Sequence, residues 1–190
     1  MRPRTLFVES LVVLSGPPLH GKTTVATALA ARSNLRLIDL DEVRMKHFPQ
    51  WADQPAQLEA TTRAYELMIA DALGVLSTGQ PVVLAGTFSR RAFQRPLCDA
   101  LLKVRHRIFS LRVGSIECIL SRIGQRRREG TLSAIRTEDQ YRWSLGLVEP
   151  WPDGVAVIDI DGTQHVDAIV QTILDRCADL KGFAAGVTPR

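Results

Sequence analysis

The chain has 190 residues, 45% of them apolar and 23% charged, which fits one globular domain with enough length to bury a core and excludes a disordered or fibrous chain. No apolar run approaches the roughly 18 to 20 residues of a membrane-spanning helix, and three cysteines without a Cys-x-x-Cys pair argue against a disulfide framework or zinc site and for a reducing, cytoplasmic setting. The net charge of +4 hides an asymmetry: from Arg105 to Arg136 eight arginines face only Glu117 and Glu129, so one segment is built to meet anions.

Arg2 and Arg4 precede Leu6, Phe7 and Val8, but Glu9 interrupts the apolar stretch, so the N-terminus reads as the lead-in to a strand and not as a signal peptide. Residues 11–15 then predict a buried strand, 22–32 a helix and 35–40 a second strand, followed by a short helical turn that Pro49 ends. Residues 57–77 carry Leu58, Thr61, Tyr65, Met68, Ala72 and Leu76 on one helical face, and Gly79 stops that helix. A strand over 81–85, a helix over 91–103, a strand over 107–113 and helices over 116–128 and 137–148 come next. The chain closes with a strand over 155–160 and a helix over 166–180. Strands alternating with helices predict an α/β fold of three layers with a parallel sheet covered on both faces.

Between the first strand and first helix stands Gly16-Pro17-Pro18-Leu19-His20-Gly21-Lys22-Thr23, which satisfies the phosphate-loop pattern G-x-x-x-x-G-K-[ST] in the context it requires. By average composition the pattern arises by chance in under about one per cent of chains this size. Its glycines let backbone N–H groups turn inward onto phosphate, and the helix opening at Lys22 adds its positive end. Gly16, His20, Gly21, Lys22, Thr23 and Thr24 are therefore the expected contacts to ATP. Lys22 would serve the β- and γ-phosphates, and Thr23 would hold Mg²⁺.

Asp39-Leu40-Asp41-Glu42-Val43-Arg44 falls at the carboxyl end of the second strand, where open α/β sheets bind ligands. Asp41 and Arg44, three apart, share a helical face. A carboxylate there accepts the proton of an attacking hydroxyl while the arginine grips the acceptor; the alternative is that Asp41 caps the helical turn. Asp39 is the expected partner of Thr23 at the metal and of Arg44 at the substrate.

The phosphate loop, residues 38–44, the run Val82-Val83-Leu84-Ala85-Gly86-Thr87-Phe88, the arginine-rich helix and Leu147-Val148-Glu149-Pro150 together resemble the small P-loop kinases related to zeta toxins and phage polynucleotide kinase. The resemblance implies one P-loop kinase domain over residues 1–190, like the nucleoside monophosphate kinases, with a five-stranded parallel sheet and a helical lid near 122–137. It implies Asp41 as general base, Arg44 on the acceptor, and lid arginines over the phosphates. Arg122 and Arg126, at i and i+4, are the first lid candidates, before Arg127, Arg128 and Arg136. One departure stands out: where such kinases commonly carry an acid at the end of the third strand, this chain has Ala85.

The expected function is transfer of the γ-phosphate of ATP to a hydroxyl of a small molecule, favoured over a polynucleotide 5′-hydroxyl. No membrane partner is expected, and the oligomeric state is left open. A nucleotide-binding regulator that phosphorylates nothing is the reading from another class, supported by Ala85. Two further features are set aside. Val157-Ile158-Asp159-Ile160-Asp161-Gly162-Thr163 resembles the nucleophile motif of haloacid-dehalogenase-type phosphatases, but only 27 residues follow Thr163, too few for the rest of such a site. Trp51, Trp143 and Trp151 could stack bases but read as packing residues.

Overall fold

The computed structural model describes residues 8–49, 58–129 and 135–180. In chain order the elements are β1 (Val8–Ser15), α1 (Lys22–Ser33), β2 (Arg36–Asp39), α2 (Leu40–His47), α3 (Leu58–Ser77), β3 (Val82–Ala85), α4 (Arg91–Leu101), β4 (Val104–Arg112), α5 (Ile116–Arg128), α6 (Glu138–Gly146), β5 (Val157–Asp161) and α7 (Val166–Arg176). The five strands form one parallel sheet in the order β2-β3-β1-β4-β5. This is the three-layer α/β fold with a parallel sheet that the element pattern predicts.

The two-residue period of a strand explains the layering. On β1, Leu11 and Val13 point into one apolar cluster with Tyr65, Met68 and Ala72 of α3 and Phe93 and Leu97 of α4. Val12 and Leu14 point into the other, with Val25 and Leu29 of α1 and Ile169, Val170 and Ile173 of α7. A strand buried on both faces has no polar side to show, hence the unbroken Leu-Val-Val-Leu run. A third cluster, Leu19, Val113, Ile119, Ile123, Ile135 and Tyr141, seats α5 and α6 on the phosphate loop.

Several boundaries differ from the sequence-based ones, and caps account for the clearest cases. Asp39 accepts a hydrogen bond from the Asp41 N–H at 2.8 Å, which ends β2 there and makes Leu40 the first helical residue. Thr137 is the N-cap of α6, closed by a reciprocal bond with Gln140, so the helix proper begins at Glu138. The last helix ends at Arg176 with Cys177 as its cap, short of residue 180. Trp51, the start of the 57–77 helix, residues 130–134 of the expected lid and both chain ends lie outside the described residues. Among the described residues no helix is long and apolar enough to cross a membrane.

Candidate active site

Gly16 sits at φ 127°, and a Cβ there would lie 2.4 Å from the Leu111 carbonyl oxygen, so the loop's close approach to β4 admits glycine alone. Gly21 at φ 88° turns the chain into α1. No acid occupies the first turn of α1, which leaves its N-terminal N–H groups and positive dipole end for an anion. Lys22 folds back and donates to the Pro17 carbonyl at 2.8 Å. Burial lowers its pKa to about 8; Asp41 and Asp39 oppose the shift and Arg126 adds to it.

The Thr23 hydroxyl donates to Asp39 Oδ2 at 2.8 Å, which brings together the two groups expected at a metal. Asp39 is only 4% exposed, and burial, reinforced by Asp41, raises its pKa against the hydrogen bonds from Thr23 and Asp41. No cluster of three or more His, Cys, Asp or Glu side chains suited to a metal occurs among the described residues. A hydroxyl and a single carboxylate fit Mg²⁺, a hard ion that keeps several waters and takes phosphate oxygens as further ligands.

Because Asp39 does the capping of α2, Asp41 is spared that task. Its side chain is 79% exposed, with Oδ1 3.8 Å from Nη1 of Arg44, whose side chain is 15% exposed. Both line a cleft of about 190 Å³ together with Lys22, Thr23, Asp39, Thr87 and Arg126. A second cleft, of about 510 Å³, continues across Thr24 to α5 and to the turn after β5, where Gly162 and Gln164 line it. The loop, the metal pair and the Asp41–Arg44 pair thus share one opening.

The arginines of α5 divide. Arg122 donates through Nη1 to the Leu19 carbonyl at 2.7 Å and through Nη2 to the Gly162 carbonyl at 3.0 Å, so its fork spans the phosphate loop and the β5–α7 turn. Arg126 lines both clefts. Arg127, Arg128 and Arg136 are exposed and line neither. His20, expected among the nucleotide contacts, is 4% exposed and has both ring nitrogens committed to the protein: Nδ1 lies 2.9 Å from the Leu111 carbonyl and Nε2 2.9 Å from the Tyr141 hydroxyl. Burial draws its pKa down to about 4, against the Leu111 hydrogen bond and with help from the charges of Lys22, Arg122 and Arg112. The imidazole is neutral near pH 7 and secures the loop through both ring nitrogens.

Ala85 is buried, and the loop leaving it is organised by Tyr65, whose place in the helical stripe of α3 suggests only a core residue. The Tyr65 hydroxyl accepts the Phe88 N–H at 2.7 Å, its ring packed 4.7 Å from those of Phe88 and Phe93. Phe88 takes a left-handed backbone, φ 47°. Glu149 closes the loop from outside: its N–H donates to Ser89 O at 2.7 Å and its carboxylate accepts the Arg91 N–H. The Leu-Val-Glu-Pro segment therefore braces the loop between β3 and α4. At β5, Asp159 pairs with Arg112 and Asp161 accepts from Thr163, which leaves the phosphatase-like motif a strand end and its turn.

A family model described as an AAA domain matches residues 11–150. The chain belongs to that family. No curated protein matches it closely enough in sequence to count as a relative. Among solved structures, this AAA-domain protein is similar to an unliganded sugar kinase from Janibacter sp. HTCC2649, with 16% identity, a TM-score of 0.70 and coverage of 95% of this chain and 99% of that one. It is also similar to a gluconokinase from Sinorhizobium meliloti 1021, with 17% identity, a TM-score of 0.65 and coverage of 94% and 93%. The APS kinase of Mycobacterium tuberculosis, in complex with AMPPNP and APS, matches at 13% identity and a TM-score of 0.63 over 89% of this chain and 97% of that one. At such identities the likeness is one of fold, and the fold is that of P-loop kinases.

Proposed function

We propose that the protein is an ATP- and Mg²⁺-dependent kinase that phosphorylates a hydroxyl of a small molecule. The observation that carries this reading is the shared cleft: Lys22 and Thr23 of the phosphate loop open onto the same space as Asp41 and Arg44. Transfer needs the donor and the acceptor in line, and positioning plus charge neutralisation supply most of the rate. The kinase names of the similar folds and the AMPPNP in one of them support a nucleoside triphosphate as donor.

In this reading the main-chain N–H groups of the loop and the Lys22 ammonium hold the β- and γ-phosphates. Thr23 and Asp39 would hold Mg²⁺, which would offset the charge of the phosphates. Arg44 holds the acceptor. Its hydroxyl oxygen forms the new bond to the γ-phosphorus as the bond to the ADP oxygen breaks, and the hydroxyl proton passes to the Asp41 carboxylate. Arg126, lining the cleft from α5, meets the equatorial oxygens, while Arg122 holds the loop to the turn after β5.

Labelled ATP incubated with pools of small hydroxyl compounds and, separately, with 5′-hydroxyl oligonucleotides tests the reading. Transfer to the first supports it, and transfer to the second alone replaces the acceptor class. A nucleotide-binding regulator is the second reading, favoured by the buried Ala85, which puts no acid at the end of β3. Tight ATP binding without transfer to any acceptor would support that reading.

A further inference from the structure

Both ring nitrogens of His20 are spent on elements remote from the phosphate loop. Its Nδ1 lies between two main-chain groups of opposite kind, the Leu111 carbonyl at 2.9 Å and the Val113 N–H at 3.2 Å. One ring nitrogen cannot serve both. Protonated, Nδ1 donates to Leu111, and Nε2 must then accept from the Tyr141 hydroxyl. Unprotonated, Nδ1 accepts from Val113, and Nε2–H donates to Tyr141 at the same 2.9 Å contact. The first tautomer leaves only the Val113 N–H without the ring, whereas the second leaves both the Leu111 carbonyl and the Tyr141 O–H without it. The Tyr141 hydroxyl, donating to Nε2, therefore holds the ring in the tautomer that ties the loop to Leu111 of β4.

The loop needs such a grip. Leu19, a non-glycine residue, sits at φ 68°, and Gly21 at φ 88°. Left-handed backbone at a residue with a β-carbon is strained and persists only where surrounding contacts over-determine it. Arg122 holds the Leu19 carbonyl from α5, and His20 is the corresponding hold from β4 and α6. Tyr141 is itself fixed, 4% exposed and packed with Leu19, Val113, Ile119 and Ile123.

We infer that the Tyr141 hydroxyl and the His20 imidazole form a positioning pair that sets the conformation of the phosphate loop from α6, so that nucleotide affinity depends on a hydrogen bond neither of whose side chains touches the nucleotide. The inference rests on the reading that the loop binds nucleotide. It makes α6, the first helix after the arginine helix, part of the nucleotide site, and it identifies a histidine in the loop as functional without a role in phosphate contact.

The test compares Tyr141→Phe, which keeps the ring in its apolar cluster and deletes only the hydroxyl, with His20→Asn, whose amide occupies the place of Nδ1 and keeps a tie to β4 but no longer reaches α6. The affinity of each folded variant for Mg²⁺–AMPPNP is measured by calorimetry, and the ring-nitrogen shifts of His20 by NMR. Each substitution is expected to weaken binding about five- to tenfold, the worth of one hydrogen bond, and the double variant no more than either single one. In the wild type the His20 nitrogens should report one neutral tautomer, and in Tyr141→Phe a mixture or the other tautomer. Unchanged affinity in Tyr141→Phe with only a lower melting temperature, unaltered nitrogen shifts, or additive losses in the double variant would each overturn the inference. If His20→Asn does not fold, Tyr141→Phe decides by itself through its affinity and spectrum. A wild-type protein that does not bind AMPPNP defeats the nucleotide reading and this inference with it, whereas binding that Tyr141→Phe leaves unchanged defeats this inference alone.

Discussion

Burial holds the pKa of Lys22 at about 8 in the free protein, against the pull of Asp41 and Asp39. A triphosphate arriving at the loop adds negative charge within reach of the ammonium, which favours its charged form and raises that pKa. Binding is then coupled to proton uptake at pH values above about 8 and weakens as pH rises further, because a growing share of the free protein must first take up a proton. Calorimetry of AMPPNP binding near pH 9, roughly midway to the ordinary lysine value, in buffers of different ionisation enthalpy should show uptake of a large fraction of a proton. In Lys22→Ala binding should be largely lost, and any that remains should show none. Equal heats in all buffers for the wild type would mean that Lys22 does not meet the phosphates. At the same scale Arg122 and Arg126 should separate kinetically. Arg126→Ala should lower kcat by up to about 10³ with a smaller effect on nucleotide binding, as for an arginine acting on the transition state, and Arg126→Lys should recover only part of it. Arg122→Ala should act chiefly on nucleotide KM, since its fork holds the carbonyls of Leu19 and Gly162. A similar loss of kcat in both variants would show that the two arginines work together on the phosphoryl group.

Among elements, α3 does more than cover the sheet, since Tyr65 ties that helix to the loop after β3 through a buried hydrogen bond. Tyr65→Phe keeps the packing with Phe88 and Phe93 but leaves the Phe88 N–H without its acceptor in a buried place, at a cost of about 1–3 kcal/mol. Urea unfolding should show that loss, and a change below about 0.5 kcal/mol, the range of neutral surface substitutions, would show that the phenol does not hold the loop. This tie illustrates what the sequence could and could not disclose. The phosphate loop is a contiguous pattern and was legible outright, as were β1, from its unbroken apolar run, and α3, from its helical stripe. Asp41 and Arg44 were legible as a pair because three residues on one helix fix their relation. The role of Asp39 as cap was harder to see, since Asp39 and Asp41 are equally plausible caps until a carboxylate is seen to bond an N–H. The partners of His20 stand 91 and 121 residues away, and no periodicity encodes them. Arg122 and Arg126 share a face by spacing, but one fork meets two remote carbonyls and lines only the second cleft while the other lines both, a division made by tertiary contacts alone.

For the molecule as a whole, the order β2-β3-β1-β4-β5 places β1 between two strands that come after it in the chain, so the loops leaving β1, β2 and β3 meet at one edge and form a common cleft. A cleft of this kind couples ligand binding to global stability, and that coupling separates binding from chemistry. A nucleotide at about a hundredfold its Kd stabilises the folded state by about 2.7 kcal/mol, and in a chain of this size that raises Tm by roughly 5–11 °C. The wild type with Mg²⁺ and AMPPNP should show such a rise, and Lys22→Ala should lose most of it. Asp41→Asn is the informative variant, because Asp41 is exposed and 3.8 Å from Arg44 and its carboxylate is assigned no part in holding nucleotide. It should keep the full rise in Tm while losing phosphoryl transfer by the roughly 10²- to 10⁴-fold typical of a missing general base. If Asp41→Asn lost the rise as well, Asp41 would belong to the nucleotide site and the assignment of a base would fall. If transfer stayed near normal, the proton would have to leave by another route, and if the wild type showed the rise but never transferred phosphate, the regulator reading would stand in place of the kinase.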